Sequence, residues 1–221
     1  MKNKNLLPKQ EVVFKNIIVL STYLIIVWGF YRMLFKLPEE VEETIIKPIV
    51  WLIPVIFLVK KEKANLKSLG ITFKNLFPSI YLALGLGILF ALEGLIVNFI
   101  KYRGMDFSVN LGENGFFASL FISFATAISE EITFRGYLFT RFQHFFKNEL
   151  AANLVTTFLW SLIHVPISIF WWELDLSGTL GFLALTMVFG FGASYLFART
   201  KNIISPILLH VLWSWPILLF R

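Results

Sequence analysis

Glu130-Glu131-Ile132-Thr133-Phe134-Arg135-Gly136-Tyr137 occupies the middle of a long apolar helix candidate, residues 116–142. Two adjacent carboxylates are costly in hydrocarbon, and ionisable residues inside a membrane face a protein interior or a water-filled cavity and mark functional sites. A structural salt bridge to Arg135 is the plain alternative for one of the pair. Two later apolar segments each carry a histidine near the centre, His164 and His210, and the chain has only one other. That combination points to proton chemistry inside a membrane.

The composition agrees. Of 221 residues, 57% are hydrophobic and only 15% charged, with 25 Phe, where a soluble domain carries about 25% charged residues. An integral membrane protein with one domain over residues 1–221 is expected. A bilayer core needs about 20 apolar residues per helix. The candidates are 14–35, 45–59, 78–100, 116–142, 151–172, 178–198 and 203–220, giving an all-α polytopic membrane helix bundle of about seven transmembrane helices. The first stretch is longer than a signal-peptide core and lacks a small-residue cleavage site, so it reads as a membrane helix. The second is the shortest. With no cysteine, disulfides, thiol nucleophiles and thiolate metal ligands are excluded.

The net charge of +6 does not signal nucleic acid, because lysines and arginines cluster at helix ends rather than along an aromatic-interleaved groove. Membrane lipid and topology account for them. With a cytoplasmic N-terminus, fourteen basic residues fall inside: Lys2, Lys4, Lys9 and Lys15, then Lys60, Lys61, Lys63, Lys67 and Lys74, then Arg135, Arg141, Lys147, Arg199 and Lys201. Six fall outside: Arg32, Lys36, Lys47, Lys101, Arg103 and Arg221. This split fits the positive-inside rule for a multi-pass protein. Glu39, Glu40, Glu42 and Glu43 lie between the first two candidates and are expected on a solvated face. Residues 60–75, basic and of mixed polarity, read as a plain loop ahead of the alternative of an amphipathic surface stretch, and a composition rich in Lys, Asn, Ile and Phe points to an AT-rich bacterial genome. Small residues at four-residue spacing, Ala83, Gly87 and Ala91, and Gly190 with Ser194, are expected to let helix backbones approach, with no chemical role.

An α-helix rises about 1.5 Å per residue whichever way it runs, so Glu130, Glu131, His164 and His210 fall at similar depth on three helices. Glu131 and Arg135 are four apart, on one helix face and in the favourable order for an ion pair. Glu130 is turned about 100° away. Arg135 can thus anchor Glu131 and leave Glu130 as a general base. His164 precedes Pro166, which lacks an N–H and clashes one turn back, so a kink is expected beside the histidine. His210 and Ser214 share a face and can both donate to a developing oxyanion. His144 sits at the polar cytoplasmic end of its helix, where a solvated role is expected. Glu93 is a further membrane-embedded charge, with Asn98, a neighbouring helix or an access route as its prospective partners. Zinc would need ligands from three helices, there being no His-Glu-x-x-His, and water activation without a cofactor is preferred. A serine nucleophile lacks its Gly-x-Ser-x-Gly turn.

These residues resemble the motifs of the CPBP intramembrane proteases, which include type II CAAX prenyl endopeptidases and bacterial proteins linked to bacteriocin processing and self-immunity. Glu130-Glu131-Ile132-Thr133-Phe134-Arg135 matches the first motif, Glu-Glu-x-x-x-Arg. Trp160-Ser161-Leu162-Ile163-His164 matches Phe-x-x-x-His with one aromatic exchanged for another. His210-Val211-Leu212-Trp213-Ser214 matches His-x-x-x-Asn except that serine replaces the carboxamide. The resemblance covers about residues 116–214. It implies a helical bundle around a hydrated intramembrane cavity, entered from the cytoplasm or laterally. Glu130 and His164 would activate water, Glu131 and Arg135 would support them, and His210 with Ser214 would form the oxyanion hole. The implied partner is a peptide or lipid-anchored protein substrate. The competing reading is a non-catalytic bacteriocin self-immunity protein that binds a partner membrane protein, and it draws on the Ser214 departure. A proton-coupled transporter would also bury Glu and His, but its internal repeats are not evident.

Overall fold

The computed structural model describes residues 9–104 and 115–219. Lys2, Lys4 and Arg221, and the side chains of Asn98 and Lys101, lie outside what is described. The described residues form a polytopic bundle of helices with no strand. Its helices are α1 (Gln10–Leu34), α2 (residues 39–61), α3 (Leu76–Tyr102), α4 (Phe116–Phe146), α5 (Glu149–Trp171), α6 (Leu176–Thr200) and α7 (Ile204–Leu219). Five of them, α1, α3, α4, α5 and α6, are long and apolar enough to cross a membrane, and Ile204–Ser214 of α7 is a shorter apolar helix.

Helix ends follow local chemistry. Pro38 precedes α2, Asn148 caps α5 by accepting from Ala151 N at 3.0 Å, and Asp175 caps α6 by accepting from Gly178 N at 2.7 Å. The outward side of α3 is apolar and exposed at Ile88, Leu89 and Ile96, as a surface facing lipid must be. Its inner side includes Gly87, where an added Cβ would come within 2.5 Å of Leu212 on α7. Of the small residues at this spacing, Ala83 is buried but Ala91 is exposed.

Contacts between helix ends define two faces. On the basic face, Gln10 reaches the carbonyls of His144 and Phe145, Arg199 pairs with Glu149, and Lys201 Nζ donates to Gln143 at 3.2 Å. On the far face, Lys36 lies 3.6 Å from Glu173, joining loop 35–38 to loop 172–175.

Residues 60–75 are more than a surface loop. The helix continues to Lys61, and a tight turn over Leu66–Leu69 is closed by Gly70 at φ +76°, where a side chain would be strained. Gly70 O accepts from Ile203 N at 2.9 Å, and Asn202 Nδ2 donates to Thr72 O and Lys74 O. Beneath them buried Glu62 accepts from Arg141 Nη2 at 2.8 Å, Tyr137 OH at 2.5 Å and Asn16 Nδ2 at 3.0 Å. Arg141 is therefore an internal tie rather than a solvated loop charge. Together these bonds close the basic face.

The acidic segment before the second candidate also departs from expectation. Its helix starts at Glu39, not residue 45, and Glu42, Glu43 and Lys47 are buried. Arg32 at the end of α1 bonds Glu43 at 2.9 Å and pairs with Glu42, while Lys47 pairs with Glu43. Charges that look like loop boundaries in sequence neutralise one another inside the bundle.

Candidate active site

Glu130 and Glu131 close the α-helical part of α4, which widens to i→i+5 pairing over Ile132–Phe139. Such π segments shift the side-chain register and recur at functional sites. Both carboxylates are buried.

Glu131 has the partner its spacing indicates. Arg135 Nη1 donates to Glu131 Oε1 at 2.9 Å. The guanidinium is held further by Gly190 O, 3.2 Å from Nη2, and Ser194 Oγ, 3.4 Å from Nε, and it stacks over Trp160 at 4.8 Å. Gly190 and Ser194 thus do more than allow close packing: they complete the cradle of a buried charge. Glu131 Oε1 also lies 2.7 Å from His210 Nδ1. A carboxylate can only accept, so the ring proton of His210 sits on Nδ1 and Nε2 is left for other partners.

Glu130, expected to be free, is held on both oxygens. Lys47 Nζ donates to Oε1 at 2.8 Å, and Trp160 Nε1 donates to Oε2 at 2.7 Å. Lys47 belongs to the chain of buried charges Arg32, Glu43 and Lys47, and Thr126 Oγ1 fixes Glu43 Oε2 at 2.7 Å. The sequence carries one signal of this, since Lys47 and Glu43 are four apart. Nothing local ties either to Glu130.

His164 sits at a break in α5. The helix Glu149–Leu162 ends, the chain turns at Ile163 and His164, and Pro166 starts the next segment, as the proline position requires. His164 Nδ1 lies 2.7 Å from Trp160 O, a carbonyl that only accepts, so this ring too carries its proton on Nδ1.

One cavity of about 130 Å³ joins these groups. Glu130, His164, His210 and Ser214 line it together with Arg32, Glu43 and Lys47 and the indoles of Trp28, Trp51 and Trp213. A polar cavity needs only about 10–15 Å³ of such volume to admit one water, so this one is large enough for more than one. Ser214 Oγ is buried and has no partner among the described residues, which leaves a donor at the cavity wall. Trp213, its neighbour, donates to Glu93, whose partner is therefore on another helix. His144 lies at the basic-face end of α4 and does not line the cavity. Among the described residues, no three His, Cys, Asp or Glu gather as a cation-binding group. The Lys47 ammonium faces the Glu130 carboxylate, a charge that any cation at this carboxylate would have to displace.

Residues 112–216 match the family model for type II CAAX prenyl endopeptidase Rce1-like proteins. Over that segment the chain is similar to this family. The Rce1-like segment contains Glu130, Glu131, Arg135, His164, His210 and Ser214, while Arg32, Glu43 and Lys47 come from helices before it. That family is one of proteases, and the five long apolar helices are those of a multi-pass membrane protein. No curated protein and no solved structure matches the chain.

Proposed function

We propose that this protein is an intramembrane endopeptidase acting on membrane-associated peptides or lipid-anchored protein termini, with Glu130 and His164 activating water. The observation that carries the proposal is the sharing of one cavity, roomy enough for water, by Glu130, His164, His210 and Ser214. Water in the cavity, donating one hydrogen bond to His164 Nε2, gives its other proton to Glu130 as its oxygen attacks the scissile carbonyl carbon. The carbonyl becomes a tetrahedral oxyanion facing the Ser214 Oγ–H donor, with the ring of His210 beside it. The carbon–nitrogen bond then breaks, and the leaving amine takes the proton back.

Glu131 and Arg135 act one step removed. Glu131 fixes the tautomer and orientation of His210, as a buried carboxylate does for a catalytic imidazole, and Arg135 balances its charge. Lys47 and Trp160 hold the Glu130 carboxylate in place. A peptide in a regular helix has its carbonyls bonded and covered, so substrates are flexible termini or loops. No cofactor enters the scheme.

The test is cleavage of a membrane-peptide library by purified wild-type protein and by Glu130→Ala and His164→Ala, read by mass spectrometry with and without chelator. Products formed by wild type alone, chelator present or absent, are expected. A biological effect that survives Glu130→Ala, with no wild-type cleavage, would favour the partner-binding reading. Loss of cleavage in chelator with rescue by zinc would overturn the cofactor-free scheme.

A further inference from the structure

The cavity is not central along the bundle axis. Trp28 and Arg32 are near the far-face end of α1, Glu39 and Glu43 begin α2, and Trp172 ends the α5 segment at the far-face loop. Thr126 lies in the first half of α4, which starts from the far face, and Phe182 in the first turns of α6, which does the same. The deepest lining groups, Trp51, Glu130 and His210, reach only the middle of their helices. At the rim, Glu39 and Trp172 are half-exposed. The opposite half is filled by the Glu62, Arg141 and Tyr137 tie and shut by the Gly70–Ile203 and Asn202–Thr72 bonds.

Charge assigns the two faces to compartments. Exposed Lys60, Lys61, Lys63, Lys67 and Lys147 crowd the closed face, whereas the open face has Lys36 and Arg103 beside Glu173 and Asp175. Basic loops stay in the cytoplasm. We infer that the site opens away from the cytoplasm and takes peptides presented at the extracytoplasmic surface of the membrane. This rests on the peptidase reading and narrows its substrate class: the scissile segment belongs to a translocated or secreted membrane-associated peptide, not to a lipid-anchored cytosolic terminus. Of the two routes the family resemblance implies, cytoplasmic and lateral, it opposes the first.

The absence of cysteine allows a direct test in the full chain. Single variants Ser177→Cys on the open face, Lys67→Cys on the closed face, and Ser123→Cys and Ile167→Cys lining the cavity are expressed in cells. They are exposed to a membrane-impermeant cationic methanethiosulfonate before and after permeabilisation. Ser177→Cys and at least one cavity variant are expected to react in intact cells, and Lys67→Cys only after permeabilisation. Reaction of Lys67→Cys but not Ser177→Cys in intact cells overturns the orientation. Cavity variants that react only after permeabilisation, or on neither side in folded protein, overturn the entrance. Labelling needs no turnover, so a protein that passes here and cleaves nothing in detergent fails the peptidase reading alone.

Discussion

Lys47 Nζ lies 2.8 Å from Glu130 Oε1, joining the helix that precedes the family segment to the first carboxylate of its tandem pair. Both side chains are almost fully buried. Removing one partner of a buried pair leaves an uncompensated charge and costs about 3–5 kcal/mol. Lys47→Met is therefore expected to lower thermal stability in detergent and to abolish cleavage. Lys47→Met combined with Glu130→Gln removes both charges and is expected to recover most of the lost stability. Unfolding curves of the two single variants and the double variant check this, and additive losses would refute the pairing.

Ser214 Oγ offers the cavity an unpaired hydroxyl. Loss of one oxyanion donor raises a barrier by about 2.7–4 kcal/mol. Ser214→Ala is expected to reduce kcat by about 100- to 1,000-fold with a small change in KM. Ser214→Asn, which restores the family's carboxamide, is expected to exceed wild-type turnover. Steady-state kinetics on any peptide the wild type cleaves will decide.

The three-way hold on Arg135 predicts that lysine will not replace it. A lysine has one nitrogen where Glu131, Gly190 O and Ser194 Oγ are met by three. Arg135→Lys is expected to lose about 2–4 kcal/mol of stability by leaving buried acceptors unpaired. A melting temperature equal to wild type would show that the cradle is not needed.

Gly190 passes so close to the site that a methyl group there would lie 3.0 Å from Thr157, 3.2 Å from Trp160 and 3.3 Å from Arg135 Nη2. Overpacking of this kind costs about 1–3 kcal/mol. Gly190→Ala is expected to reduce activity more than stability, because Trp160 also holds Glu130. Parallel activity and unfolding measurements will separate the two effects.

Much of the site is legible in sequence because its geometry is local or periodic. Glu131 and Arg135 meet through i,i+4 spacing, the break at His164 follows from Pro166, and the constant helix rise brings His164 and His210 to the depth of the glutamates. The second layer is not legible. Lys47 and Glu130 are 83 residues apart, as are Thr126 and Glu43, and pairing over such a span depends on how the helices pack. Glu42 and Glu43 follow a proline and two other glutamates, the composition of a solvated turn, and only the arrival of Arg32 and Lys47 makes their burial tolerable. Arg141 hides in the same way, since its partner Glu62 lies on a segment that reads as a surface loop.

The most direct measurement compares kcat/KM of Glu130→Gln with wild type on one cleaved peptide, with folding of the variant checked by its unfolding curve. Glutamine keeps the size of the side chain but cannot take a proton from water. Loss of general-base catalysis predicts a fall of about 100- to 10,000-fold with the fold intact. A folded Glu130→Gln variant that cleaves within about tenfold of wild type, outside that range, would contradict the account.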